Sequence, residues 1–152
     1  MAAAGDAPVI AGIVHGAASI ALYQALTKTH PVERMLFLDS YSATTPRSGW
    51  PAYSIVKAAA QMAARCAAQE LEDTAVIRVF PGAVNTLIVT AVLASNTDTA
   101  ETFAAMLERG ELAEPDEVAA FIVGVLVGTS PEQLRARDVW DYNNPEDHAA
   151  IR

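Results

Sequence analysis

Two short apolar runs, Met35-Leu36-Phe37-Leu38 and Ala75-Val76-Ile77-Arg78-Val79-Phe80, flank a long Ala-rich segment, Ala52 to Glu72, that holds no Pro or Gly. This arrangement constrains the fold more than any other feature of the chain. A short, continuous apolar run suits a strand buried on both faces. A helix between two such strands is the crossover that parallel neighbours require. The alternation continues on both sides. Val9 to Lys28 is apolar and Ala-rich and predicts a helix over 12–28, ended by Pro31. Ser40 to Pro51 is a loop rich in Ser, Thr, Pro and Gly. The expected elements are helix 12–28, strand 34–39, helix 52–72, strand 75–80, a mobile helical segment 87–111, helix 115–127 and strand 138–142, before a polar tail from Asn143. Pro115 suits the first turn of its helix, and Gly128 is expected to stop it. The pattern predicts an α/β fold with a parallel sheet, in a single domain over 1–152.

Composition narrows the function classes. With 52% hydrophobic and 18% charged residues, the 152-residue chain is not of the disordered type. A net charge of −8 argues against a nucleic-acid surface. There is no long uncharged apolar stretch and no basic leader before an apolar core, so a cytoplasmic protein is expected. The lone cysteine, Cys66, excludes an internal disulfide and reads as a small buried hydrophobe. His15 and His30 have no ligand-spaced partners, so no metal site is expected. Three strands are few, because sheets commonly hold about 4–6. Nothing upstream pairs beside Met35–Leu38, so the sheet is expected to be completed by a partner chain and the assembly to be obligate.

Tyr53 and Lys57 open the long helix at a four-residue offset, which places phenol and ammonium on one face, a turn apart. A phenol ordinarily ionises near pH 10, and a neighbouring ammonium favours the phenolate. That pairing makes Tyr53 a candidate acid–base group. Ser40 ends the first strand, at the edge where open α/β sheets bind ligands. Pro81-Gly82-Ala83-Val84-Asn85-Thr86 leaves the next strand on the same edge.

Strand–Ser40, Tyr53 at a helix start, Lys57, a second strand and then PGxVxT, in that order, resemble the C-terminal half of the short-chain dehydrogenase/reductase family. The resemblance runs from about Val9 to Tyr142, includes Glu114-Pro115-Asp116-Glu117-Val118-Ala119, and implies a single partial Rossmann-like domain over 1–152 with a doubly wound parallel sheet. It implies that Ser40 orients a carbonyl or hydroxyl, that Tyr53 exchanges the proton, and that Lys57 tunes Tyr53 and binds the nicotinamide ribose. It further implies that Pro81, Gly82, the backbone near Val84 and Thr86 line the nicotinamide site, with NAD or NADP held mainly by a partner. The family's two corresponding helices, here 12–28 and 52–72, would form the contact with a second chain of this type, a heteromer rather than a homo-oligomer.

The departures are specific. The glycine-rich cofactor loop, the charge reader of the second strand and the central Asn-Ala-Gly stretch have no counterpart, and the catalytic asparagine falls near Ile13. A rival placement treats Val9–Ala18 as a dinucleotide fingerprint with Asp39 reading the ribose, although its glycine spacing fails. The function expected is a ketoreductase or alcohol dehydrogenase subunit. The alternatives are a non-redox isomerase, dehydratase or cyclase that uses Tyr53, and a non-catalytic subunit that stabilises an active relative.

Overall fold

A computed structural model describes the backbone of residues 6–95 and 97–151, with side chains from residue 17 onward. The elements in order are α1 (Asp6–Thr29), β1 (Arg34–Leu38), a 3-10 turn (Tyr41–Ala43), α2 (Pro51–Glu70), β2 (Ala75–Phe80), α3 (Leu87–Leu93), α4 (Asp98–Glu108), α5 (Pro115–Gly128), α6 (Pro131–Arg135), β3 (Trp140–Asp141) and α7 (Pro145–Ala150). The three strands form one parallel sheet in the order β1-β2-β3, with Leu38 beside Val79 and Val79 beside Trp140. This is a partial Rossmann-like α/β fold, an open sheet flanked by helices.

The alternation of side chains along β2 divides the molecule. Ile77 and Val79 turn to one face and pack with Phe121 and Val125 of α5, Leu134 of α6 and Trp140 of β3. Arg78 turns to the other face, towards α2. Pro51 stands in the first turn of α2, where its missing N–H costs nothing. Ala63, Ala64 and Ala67 of that helix are buried. Their small side chains let α2 lie close to its neighbours, and Tyr23 of α1 donates to the Glu70 carboxylate at 3.0 Å.

Several elements differ from the sequence expectation for identifiable reasons. The segment 87–111 is two helices, because Thr97 accepts from Ala100 N (3.3 Å) and starts α4 anew. Gly128 is the last residue of α5 rather than its stop; Thr129 is extended and leads into Ser130, which forms a reciprocal capping box with Gln133 for α6. The last strand is two residues rather than 138–142, since Asp138 turns its carbonyl and carboxylate to Arg78. The polar tail folds into α7, where the buried Asp147 accepts from Asp141 N at 2.7 Å and pairs with Arg137. Cys66 is exposed, on the outer face of α2, not buried. Val9–Ala18 lies within α1, so no strand carries the rival fingerprint. The side chains of Ile13 and His15 lie outside the described residues.

β1 is not buried on both faces. Four of its residues are only half-buried and Leu38 is 49% exposed. Glu33 O and Asp39 N bond to β2. By the alternation of a strand, the N–H and C=O groups of Arg34, Leu36 and Leu38 therefore point away from the sheet. A groove of about 500 Å³ runs along this edge, walled by Leu22 and Leu26 of α1, the strand itself, and Val56 and Ala60 of α2.

Candidate active site

β1 and β2 end at the same edge of the sheet, and the chain that leaves each one forms a wall of a single cleft. Its volume is about 520 Å³. Ser40, Tyr53, Lys57, Pro81, Gly82, Val84 and Thr86 all line it. Every site residue expected from the sequence is therefore brought to one place.

Ser40 follows β1 and caps the 3-10 turn, its Oγ accepting from Ser42 N at 3.2 Å. Its backbone N–H donates to Asp39 Oδ1 at 2.7 Å. Tyr53 and Lys57 occupy the first two turns of α2. The Lys57 ammonium donates to Leu38 O at 3.2 Å and sits 5.8 Å from the centroid of the Tyr53 ring. Burial lowers the Lys57 pKa below that of an ordinary lysine, and the Asp39 carboxylate opposes the shift. Among the described residues, the hydroxyls of Ser40 and Tyr53 donate to no protein atom, so both are available to a ligand oxygen.

Gly82 turns the chain with φ +73°, and a Cβ there would meet Asn143 Nδ2 at 2.9 Å. Residues 83–85 then bridge to Ala113: Ala113 N donates to Ala83 O and Asn85 N donates to Ala113 O, each at 2.9 Å. The pattern turns the N–H and C=O of Val84 to the opposite side, towards the cleft. Thr86 is the extended residue at the start of α3.

Much of the remaining wall is apolar and aromatic, with Arg47, Thr102 and Asn143 among it. Trp50 packs edge-on to Tyr53 at 4.9 Å and parallel to Phe103 of α4 at 6.2 Å. Tyr41 stacks on Phe80 at 4.4 Å. Its hydroxyl donates to Asp141, and this hydrogen bond to a carboxylate pushes the Tyr41 pKa up to about 12.

The comparison with family models supplies the deciding observation: a model described as enoyl-(acyl carrier protein) reductase matches residues 10–130. The chain belongs to the short-chain dehydrogenase/reductases. The comparisons with curated proteins and with solved structures gave no match. Membership in this family supports an oxidoreductase-type activity. No helix among the described residues is long and apolar enough to cross a membrane.

Within this short-chain dehydrogenase/reductase, sequence reasoning missed a buried ionic network directly beneath Ser40. Asp39, 4% exposed, accepts from Arg78 Nη1 at 2.9 Å and from Gln61 Nε2 at 3.0 Å. This overturns the role of Asp39 as a ribose reader, because its carboxylate is committed inside the protein. The signal was present as an arginine inside the otherwise apolar run AVIRVF. A charge in the middle of a buried strand implies a buried partner.

Proposed function

We propose that the cleft is the catalytic centre of an oxidoreductase that moves a hydride between NAD or NADP and a carbonyl or hydroxyl substrate, as a ketoreductase or alcohol dehydrogenase. The convergence of Ser40, Tyr53, Lys57 and the Pro81–Thr86 turn on one cleft carries this reading. The nicotinamide end of the cofactor suits the residues present: Val84 offers an outward N–H and C=O, Thr86 a hydroxyl, and Lys57 a donor for the ribose. When bound, the nicotinamide supplies or accepts the hydride.

In reduction, Ser40 donates to the substrate oxygen and holds it against the Tyr53 hydroxyl. Tyr53 transfers its proton to that oxygen as the carbonyl becomes an alcohol, and the phenolate recovers a proton from solvent. In oxidation the same proton moves back from the alcohol to Tyr53. Lys57, close to the ring, stabilises the phenolate electrostatically. The same pair of hydroxyls also suits the thioester oxygen of an enoyl substrate, the class in the matched family's description. In either reading both hydroxyls address a single oxygen.

The pyrophosphate cradle is assigned to a second, similar chain, as a heteromer, with α1 and α2 forming the contact. The outer surfaces of these helices support this: Leu22 is 61% exposed, and Ile20, Leu26, Ile55 and Met62 are also exposed. The test is a fluorescence titration with NADPH and with NADH, on the chain alone and on its native assembly. Saturable binding in the assembly, lost with Lys57→Met, is the expected result. Turnover of substrate that persists after all nicotinamide is removed would favour the non-redox alternative. Full activity with Tyr53→Phe would leave only a structural role.

A further inference from the structure

Tyr53, Lys57 and Gln61 follow one another at four-residue steps, so they form a single stripe on α2. The third member reaches not into the cleft but beneath it, to both carboxylate oxygens of Asp39, at 3.2 and 3.0 Å. Asp39 also accepts the backbone N–H of Ser40 at 2.7 Å. One carboxylate thus touches the strand end that carries Ser40 and the helix that carries Tyr53 and Lys57. Arg78 holds that carboxylate from the next strand at 2.9 Å, and Arg78 is itself held by Asp138 Oδ2 at 2.5 Å and Asp138 O at 3.2 Å. The side chains of Asp39 and Arg78 are 1% and 8% exposed.

A buried ion pair is a poor source of stability, because desolvation offsets most of its attraction. What it does provide is geometry: it satisfies its partners in one arrangement of strand and helix only. We propose that Asp39 is a positioning residue, clamped by Arg78, that fixes the Ser40 end of β1 against the Tyr53–Lys57–Gln61 face of α2. The catalytic meaning rests on the oxidoreductase reading; the clamp itself does not.

The prediction follows from the different costs of stability and geometry. Replacing both charges, Asp39→Leu with Arg78→Met, leaves no unpaired buried ion; Gln61 and the Ser40 N–H lose their acceptor, and the chain should remain folded. Loosening Ser40 relative to Tyr53 should nevertheless lower kcat of the native assembly by on the order of 100-fold, the effect expected of an ångström-scale misplacement. KM should change little, because substrate contacts are retained.

A second readout needs no turnover. Acylation of Lys57, followed by mass spectrometry across a pH series on the full chain, reports its protonation. The groups facing Lys57 are Asp39 and Leu38 O from the β1 end and Tyr53 from its own helix. Without Asp39 the ammonium loses its opposing carboxylate, so its reactivity profile should move to lower pH. If the double variant does not fold, Gln61→Leu leaves the ion pair and the Asp39 carboxylate in place but releases their hold on α2, so kcat should fall by less while the Lys57 profile stays where it is. A folded variant with parent kcat and an unmoved Lys57 profile would overturn the proposal. Parent protein that shows no nicotinamide-dependent turnover, but a Lys57 profile that moves with Asp39, would overturn the oxidoreductase reading and leave the clamp standing.

Discussion

The two sides of the sheet edge-to-edge are built to different standards. On the β2–β3 side, Ile77, Val79, Trp140, Val125 and Leu134 are all at most 1% exposed and form a closed core with α5 and α6. On the β1 side, the outward backbone groups of Arg34 and Leu36 find no partner among the described residues, the Leu38 carbonyl is held only by Lys57, and the groove beside them has an α1 wall that carries exposed leucines. Purely parallel sheets are ordinarily covered on both faces, and open edges are ordinarily protected. The contrast teaches that the residues of one half satisfy one another, while the other half leaves leucines and backbone groups open among the described residues. The cleft lies at the top of the seam, with α2 spanning both halves.

The largest effect is expected at that seam. Tyr53→Phe removes one oxygen from a cleft wall and no core contact. Turnover of the assembly should fall by roughly 100- to 10,000-fold, with the circular dichroism spectrum and melting temperature unchanged. Retention of a tenth of the parent rate would contradict the proton-transfer role. Next in size is a pair of substitutions that sets the two halves against each other. In chemical denaturation of the isolated chain, Ile77→Ala should cost about 2–5 kcal/mol, as large-to-small changes in closed cores do. Leu22→Ser, on the groove wall, should stay within about 0.5 kcal/mol. Similar losses at both positions would mean that the β1 side is as closed as the other.

A smaller effect concerns Lys57, whose pKa lies below that of an ordinary lysine because of burial. Its charge is therefore lost, as pH rises, at a lower pH than that of an exposed lysine. Activity that needs the ammonium should decline on the alkaline side before an exposed lysine would titrate. Lys57→Met should abolish that decline, weaken cofactor binding and lower the rate throughout. The smallest effect is spectroscopic. Tyr41 titrates at about 12, and Tyr23 and Tyr142 are also raised, chiefly by burial. In an alkaline difference titration, Tyr41→Phe should remove the component near 12 and leave the others.

Much of this contrast was legible in the sequence because its carriers are local. The strand AVIRVF, the helix opened by Pro51 and the Tyr53–Lys57 offset follow from pattern and spacing alone, and the order Ser40, Tyr53, Lys57, PGAVNT placed the site. What escaped depended on side chains meeting from distant segments. The 138–142 strand shortened because Asp138 is drawn to Arg78, sixty residues earlier. The tail became helical because Asn144 caps it and Asp147 anchors it to Arg137 and to the Asp141 backbone. Cys66 points outward because the neighbouring alanines Ala63, Ala64 and Ala67 take the inner face. The clamp at Asp39 joins β1, β2 and α2, and only its arginine was visible in the strand pattern.

The proposal that a partner chain also completes the sheet at β1 when the cleft is in use is tested most directly by amide hydrogen exchange at residues 36 to 39. In the isolated chain, the Leu36 and Leu38 amides should exchange far faster than the Asp39 amide, which donates to Val79 O at 2.8 Å. In the native assembly that turns over nicotinamide, Leu36 and Leu38 should become as slow as Asp39. Fast exchange at Leu36 in that active assembly, or slow exchange already in the isolated chain, would contradict the account.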